Sequence, residues 1–147
     1  MDVQDRDDGY VDVFFEKSDG IAMYGILTRW VGDMLADDIE QSDAVDMVVG
    51  VASRLDKGAL RCVITQDGAE LLRDITVDYA DRMALSVETI SRSLEEFHQG
   101  RSYQESFLMN VSRAHVFWAG RMANQLTLGL EMLNQVTPDQ VPDTFPD

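Results

Sequence analysis

The chain has 147 residues, a formal net charge of −15 and 45% hydrophobic residues. This length and hydrophobic content suit a single folded domain and exclude an intrinsically disordered chain. An acidic surface repels nucleic-acid phosphates, and no apolar run reaches the roughly 20 residues that span a bilayer, so we expect neither direct nucleic-acid binding nor membrane association.

Both ends of the chain are acidic. Residues 1–9 are predicted to form a disordered acidic arm, and residues 137–147, which hold all three prolines, a disordered Pro/Asp tail. The polar N-terminus does not resemble a secretory signal, and the single cysteine, Cys62, cannot form an intrachain disulfide. We therefore predict a cytoplasmic protein with a single helical domain over residues 10–136.

Two short segments are rich in β-forming residues. Residues 10–16 contain Tyr, Val and Phe in partial alternation, and residues 60–65 are the most strand-like segment of the chain. The first segment is equally suited to lead into a helix. If both segments are extended they can pair, so the sequence leaves open a minor two-stranded β element.

Two short helices are predicted before and after residue 42. Helical spacing of apolar residues indicates a first helix over residues 21–39, after turn residues at 18–20, and a second over residues 43–57. Ser42 or Asp43 caps the second helix, and Gly58 follows its end. The predicted apolar faces are Met23, Leu27, Trp30, Val31, Met34 and Leu35 on the first helix, and Val45, Val48, Val51, Ala52 and Leu55 on the second.

A long helical hairpin over residues 69–136 is the strongest pattern in the chain. Its two arms of roughly 30 residues are separated by Gly100 and by a capping box from Ser102 to Glu105. Pro138 ends the second arm, and the short connection makes the arms antiparallel neighbours. The two apolar stripes are Leu72, Ile75, Tyr79, Met83, Val87, Ile90, Leu94 and Phe97, and then Leu108, Val111, His115, Trp118, Met122, Leu126, Gly129, Leu133 and Val136.

The predicted fold is all-α and resembles a four-helix bundle, with two short N-terminal helices packed on the long antiparallel hairpin. At 1.5 Å per residue the short helices span roughly 28 and 22 Å, whereas each hairpin arm spans roughly 45 Å. Part of the apolar stripes is therefore left uncovered. Because a second copy of the chain is the commonest cover for such a surface, we predict a homodimer.

The acidic residues have an unusual composition. Asp outnumbers Glu nineteen to eight, and there are two Lys against ten Arg. Short hydrated carboxylates and few lysines resemble the cytoplasmic proteins of salt-in halophiles, and a GC-rich genome that favours Arg is the alternative explanation. The negative charge favours a basic protein as a partner.

The sequence E-x-x-H from Glu95 to His98 is a candidate metal-binding motif. The two side chains share a helix face, as carboxylate-bridged di-iron bundles require, and Glu105 lies across the turn. The motif resembles minimal ferritin-like proteins, which implies Glu95, His98 and Glu105 as metal ligands and a dimer that completes the site. The alternative is a polar helix end, where the negative dipole favours His98.

Arg92 and His98 also fit the R-x(4–6)-H pattern of HEPN ribonucleases, small helical bundles that act at a dimer interface. That resemblance implies Arg92 and His98 as an RNA-cleaving pair. The chain departs from the pattern because Ser93 replaces the usual Asn, Asp or His, and because the motif ends a helix. An ordinary ion pair between Glu88 and Arg92, four residues apart, is the alternative role for this arginine.

The remaining candidates for chemistry are single residues. His115 is expected to be a buried histidine with a hydrogen-bond partner, and Cys62 a buried small hydrophobe. No phosphate loop, zinc spacing or nucleophile elbow is present, and no cofactor is implied. We interpret the chain as a non-enzymatic, homo-oligomeric protein-binding or regulatory protein, with a small helical enzyme assembled at a dimer interface as the alternative.

Overall fold

The computed structural model describes residues 1–6, 8–37, 42–97 and 103–135, without the side chains of residues 90, 93–97, 103–108 and 134–135. In chain order the elements are β1 (Asp2–Asp5), β2 (Tyr10–Phe14), α1 (Lys17–Ala36), α2 (Asp43–Asp56), β3 (Arg61–Thr65), α3 (Gln66–Phe97) and α4 (Tyr103–Gln135).

The fold is mixed α/β and dominated by helix, so the all-α prediction is wrong. A three-stranded antiparallel sheet in the order β1-β2-β3 overturns it. The two segments suspected of strand character do pair, with Val11 opposite Ile64 and Val13 opposite Cys62. These four side chains are buried, so the sheet contributes one wall of the core.

The third strand, β1, comes from the segment predicted as a disordered arm. It pairs with β2 and places Val3 opposite Val13, and Gly9 with φ +85° lies in the turn between the two strands. Val3 is the only apolar residue of β1. A single apolar residue among polar ones shows no alternation, so the strand is recognisable only from the partner against which it packs.

Asp12 of β2 is largely buried and forms an ion pair with Arg61 of β3. The Nε and Nη2 atoms of Arg61 donate hydrogen bonds to the Asp12 carboxylate at 2.9 and 3.1 Å, and Arg6 Nη1 lies 3.6 Å from Oδ1. The hydrogen bonds from Arg61 hold the pKa of Asp12 below its ordinary value, against the opposing effect of burial. The folded state therefore favours the ionised carboxylate.

This pair predicts a defined dependence of stability on pH. Because the pKa of Asp12 is lower in the folded chain, its contribution to stability is present above about pH 4 and is lost as the pH falls further. Asp12→Asn should therefore make the stability less steeply dependent on pH below about 4, as measured by urea midpoints across that range. Arg61→Gln removes the main cause of the shift and should do the same. An unchanged slope in both variants would contradict the assignment.

Helix α2 confirms its prediction closely. The Ser42 hydroxyl accepts a hydrogen bond from the Val45 amide, and all five predicted apolar residues are buried. At the other end, the amides of Gly58 and Ala59 donate to the carbonyls of Leu55 and Arg54, which is the Schellman arrangement. Gly58 has φ +87°, a backbone conformation that glycine adopts without strain.

Helix α1 begins earlier than predicted, because residues 18–20 form its first turn instead of a separate turn. Asp19 lies in that first helical turn, where the positive end of the helix dipole favours a carboxylate. The N-terminal half of the predicted apolar face, including Met23 and Leu27, is buried. Further along, Trp30 and Met34 are half-buried and Leu35 is exposed, so the helix loses core contact towards its C-terminal end.

Within the described part of the chain, no helix has both the length and the apolar content needed to cross a bilayer.

The predicted hairpin is present as α3 and α4. Helix α1 has 20 residues and spans about 30 Å, whereas α3 and α4 have 32 and 33 residues and span roughly 50 Å. The core encloses the base of the hairpin, including Leu72, Ile75, Met122, Leu126 and Leu130.

Candidate functional site

An open groove of 520 Å³ lies between the C-terminal half of α1 and the middle of α3, and is called here the α1–α3 groove. Its lining residues recur every three or four positions on each helix, so each helix contributes one face. The apolar lining comprises Ile26, Trp30, Met34, Ala36, Ile75, Tyr79 and Met83, and the charged lining comprises Arg29, Asp33, Asp37, Asp78 and Arg82.

The charged side chains of this groove differ in their contacts. Arg82 pairs with Asp78 at 3.0 Å, as the four-residue spacing predicts. The Arg29 guanidinium lies 5.8 Å from the centre of the Tyr79 ring, in a cation–π contact. The carboxylates of Asp33 and Asp37 have no ion pair or hydrogen bond with any described residue.

A second, more apolar groove of 390 Å³ lies between α3 and α4. Met83 borders both grooves, so the two depressions adjoin where α1 ends its coverage of the hairpin. The other lining residues of this α3–α4 groove are Val111, Ser112, Ala114, His115 and Trp118.

Tyr79 and His115 connect the two grooves. The Tyr79 hydroxyl and His115 Nε2 share a hydrogen bond, and the rings meet edge to face with centroids 5.4 Å apart. This confirms that His115 has a hydrogen-bond partner, although the ring is half-buried instead of fully buried. Each ring borders one of the two grooves, so the pair marks the junction between them.

A buried charge cluster around Asp19 was not predicted from the sequence. The Asp19 side chain is fully buried, and its carboxylate pairs with Arg121 Nη2 of α4 at 2.5 Å and with the Met1 amino group at 3.3 Å. Arg121 Nε is buried without a hydrogen bond, and so is Oε1 of Gln125, four residues further along α4. An acid at the start of a helix can be recognised in the sequence, but its partner Arg121 lies 102 residues away and cannot.

The candidate catalytic and metal-binding residues are only partly described. Arg92 pairs with Glu88 and both side chains are mostly exposed, as the ion-pair alternative predicts. The side chains of Glu95 and Glu105, and all of His98, lie outside the described residues. Among the described residues no three His, Cys, Asp or Glu side chains cluster as metal ligands. The ribonuclease and metal-site hypotheses therefore stay predictions.

Cys62 is buried on β3, and burial raises the pKa of its thiol above the ordinary value, with a smaller opposing effect from Arg54. A buried thiol with a raised pKa stays protonated at neutral pH and is a poor nucleophile. This confirms the expected role of Cys62 as a small hydrophobic side chain of the core.

Comparison with known proteins identifies no relative. No family model matches the chain, no curated protein is similar to it, and no solved structure matches its fold.

Proposed function

We propose that this chain is a non-enzymatic binding protein that self-associates through one flank of α4. The α4 flank is defined as Val111, Ala114, Phe117 and Trp118, which lie at helical spacings on neighbouring positions of the helix surface. Val111, Phe117 and Trp118 are 51%, 65% and 39% exposed. Two aromatic rings and an aliphatic side chain in one exposed patch are typical of a protein interface.

The distribution of acidic residues is the observation that carries this proposal. Of the 147 residues 27 are acidic, yet residues 106–130 of α4 contain no Asp or Glu. Two copies with a charge of −15 repel each other over most of their surface. The acid-free part of α4 is the surface on which two copies can approach without that repulsion, and it coincides with the exposed aromatic residues.

The length of the hairpin supports a second copy as the partner for this surface. Helix α1 contacts both α3 and α4, but it is shorter than they are by more than three helical turns. The outer hairpin therefore lacks the second layer of helices that its base has. A two-fold dimer places the same flank of each copy against the other, and it needs one self-complementary surface only.

The proposed setting is the cytoplasm of a cell with a high salt content. The composition supports this setting, since 19 Asp and only two Lys keep the surface hydrated in concentrated salt. Salt screens the repulsion between acidic copies. Self-association through the α4 flank is therefore expected to become tighter as the salt concentration rises.

Sedimentation equilibrium tests the proposal directly. At micromolar concentration in molar KCl the wild-type chain should be a dimer, and Trp118→Glu should weaken the dimer by about 100-fold, because a charge at the centre of an apolar interface is desolvated without a partner. Val49→Glu is the matched control, since Val49 of α2 is 45% exposed but lies off the flank. A monomeric wild type, or equal weakening by both variants, would overturn the proposal.

A further inference from the structure

We propose that the α1–α3 groove binds a cationic amphipathic segment of a partner protein. A Lys or Arg side chain of the partner would lie against Asp33 and Asp37, and its apolar side chains would lie on the groove floor between Trp30 and Tyr79. This inference deepens the proposed binding role and uses a surface other than the α4 flank.

The first argument is the position of two carboxylates at the end of α1. Asp33 lies in the last turn of α1 and Asp37 is its C-cap residue, and the last turn contains no basic residue. The helix dipole is negative at this end, so a carboxylate there is unfavourable and a cation is favoured. Because neither carboxylate pairs with a described residue, a cation supplied by a partner would relieve this repulsion.

The second argument is that the aromatic wall of the groove already holds a guanidinium. Arg29 lies four residues before Asp33, a spacing that permits an ion pair within the helix. Its guanidinium instead lies over the Tyr79 ring at 5.8 Å and leaves Asp33 available. Trp30, half-buried on the same face of α1, offers a second ring for a cation.

The third argument excludes other occupants. The groove has three Asp and two Arg, and both Arg are engaged with Asp78 or Tyr79, so it repels an anion. An inorganic cation would leave the floor of Ile26, Met34 and Ile75 without contacts. The volume of 520 Å³ suits several side chains. An amphipathic segment with a basic face satisfies both the carboxylates and the apolar floor.

The experiment uses a synthetic helical peptide of Leu and Lys at amphipathic spacing, and a matched peptide with Gln in place of Lys. Trp118→Phe leaves Trp30 as the only tryptophan, so its emission reports on the groove. Measurements are made at the lowest salt concentration at which circular dichroism shows full helicity. The Lys peptide should shift Trp30 emission saturably, and the Gln peptide should bind at least about ten-fold more weakly, because it lacks the charge.

Substitutions separate the groove from the general negative charge of the chain. Asp33→Asn combined with Asp37→Asn should weaken binding of the Lys peptide by about ten-fold. Asp56→Asn combined with Glu131→Gln changes the net charge equally at exposed positions outside the groove, and it should leave the affinity within about two-fold. Equal loss in both pairs, equal binding of the two peptides, or no saturable shift would overturn the inference.

Self-association is measured without peptide, so failure of one proposal is distinguishable from failure of the other. The Trp118→Glu chain, which should be monomeric, is expected to bind the Lys peptide with wild-type affinity, measured by anisotropy of a labelled peptide. If that variant loses peptide binding, the groove is not a separate site and the inference is wrong.

Discussion

Arg121→Met is expected to lower the free energy of unfolding by about 3 kcal/mol, because it leaves the Asp19 carboxylate buried without its main partner. The Asp19 side chain is fully buried, and the Met1 amino group is its remaining cationic neighbour among the described residues. Burial of a charge is costly unless the charge is paired and hydrogen-bonded. Urea unfolding followed by circular dichroism at neutral pH measures the effect.

Arg113→Met is the matched control for this change. Arg113 lies on the same helix and is exposed, and its loss changes the net charge equally. We expect an effect within about 0.5 kcal/mol. Asp19→Asn should cost less than Arg121→Met, because the Arg121 side chain that it leaves behind is 37% exposed, whereas Arg121→Met leaves a fully buried carboxylate. If Asp19→Asn lowers the free energy of unfolding more than Arg121→Met does, the cost of Arg121→Met does not come from an unpaired Asp19 carboxylate.

The local features of the fold were predictable where adjacent residues determine them. The cap at Ser42, the glycine at 58 and the five apolar residues of α2 all lie within one short segment, and each is confirmed. The Glu88–Arg92 ion pair was predicted from the four-residue spacing alone, and it is present. These predictions succeed because the interacting groups are no more than a few turns apart in sequence.

The predictions that were wrong concern features that depend on contacts between segments distant in sequence. Strand β1 has one apolar residue, and its position is determined by β2 and by α4, on the far side of the sequence. Residues 18–20 are of types that favour a turn, and the pairing of Asp19 with Arg121, 102 residues further along the chain, cannot be inferred from the adjacent residues. Without these contacts, the pattern favours a disordered arm and a turn.

The groove residues show the same division. Trp30 and Met34 were predicted on the apolar face of α1, and Tyr79 and His115 on the two hairpin stripes. The sequence does not show that α1 stops short of the hairpin tip, which leaves these side chains half-buried beside open grooves. Asp33 and Asp37 share a helix face with Trp30. That pattern indicates a groove only once α3 is known to lie opposite this face.

Gly129 of α4 lies where strand β1 approaches the hairpin closely. A Cβ atom added at Gly129 would lie 2.8 Å from Val3 Cβ, which is closer than two non-bonded carbon atoms approach in proteins. Val3 Cβ is attached directly to the backbone of β1, so relief requires a shift of the strand itself. We expect Gly129→Ala to lower the free energy of unfolding by about 2 kcal/mol, as overpacked core substitutions do.

Gly120→Ala provides the matched comparison on the same helix. A Cβ at Gly120 meets no atom within 4 Å, so the substitution should stabilise the chain by about 0.5–1 kcal/mol through helix propensity. The same substitution is therefore expected to lower the free energy of unfolding at Gly129 and to raise it at Gly120. Chemical denaturation of the two variants beside the wild type measures both effects.

A double-mutant cycle identifies the cause of the Gly129→Ala effect. Val3→Gly removes the atom that the new methyl group would meet, at some cost to strand β1. In that background Gly129→Ala should no longer destabilise the chain, because only the gain in helix propensity remains. If Gly129→Ala costs the same free energy with and without the Val3 side chain, β1 does not pack on α4 as described.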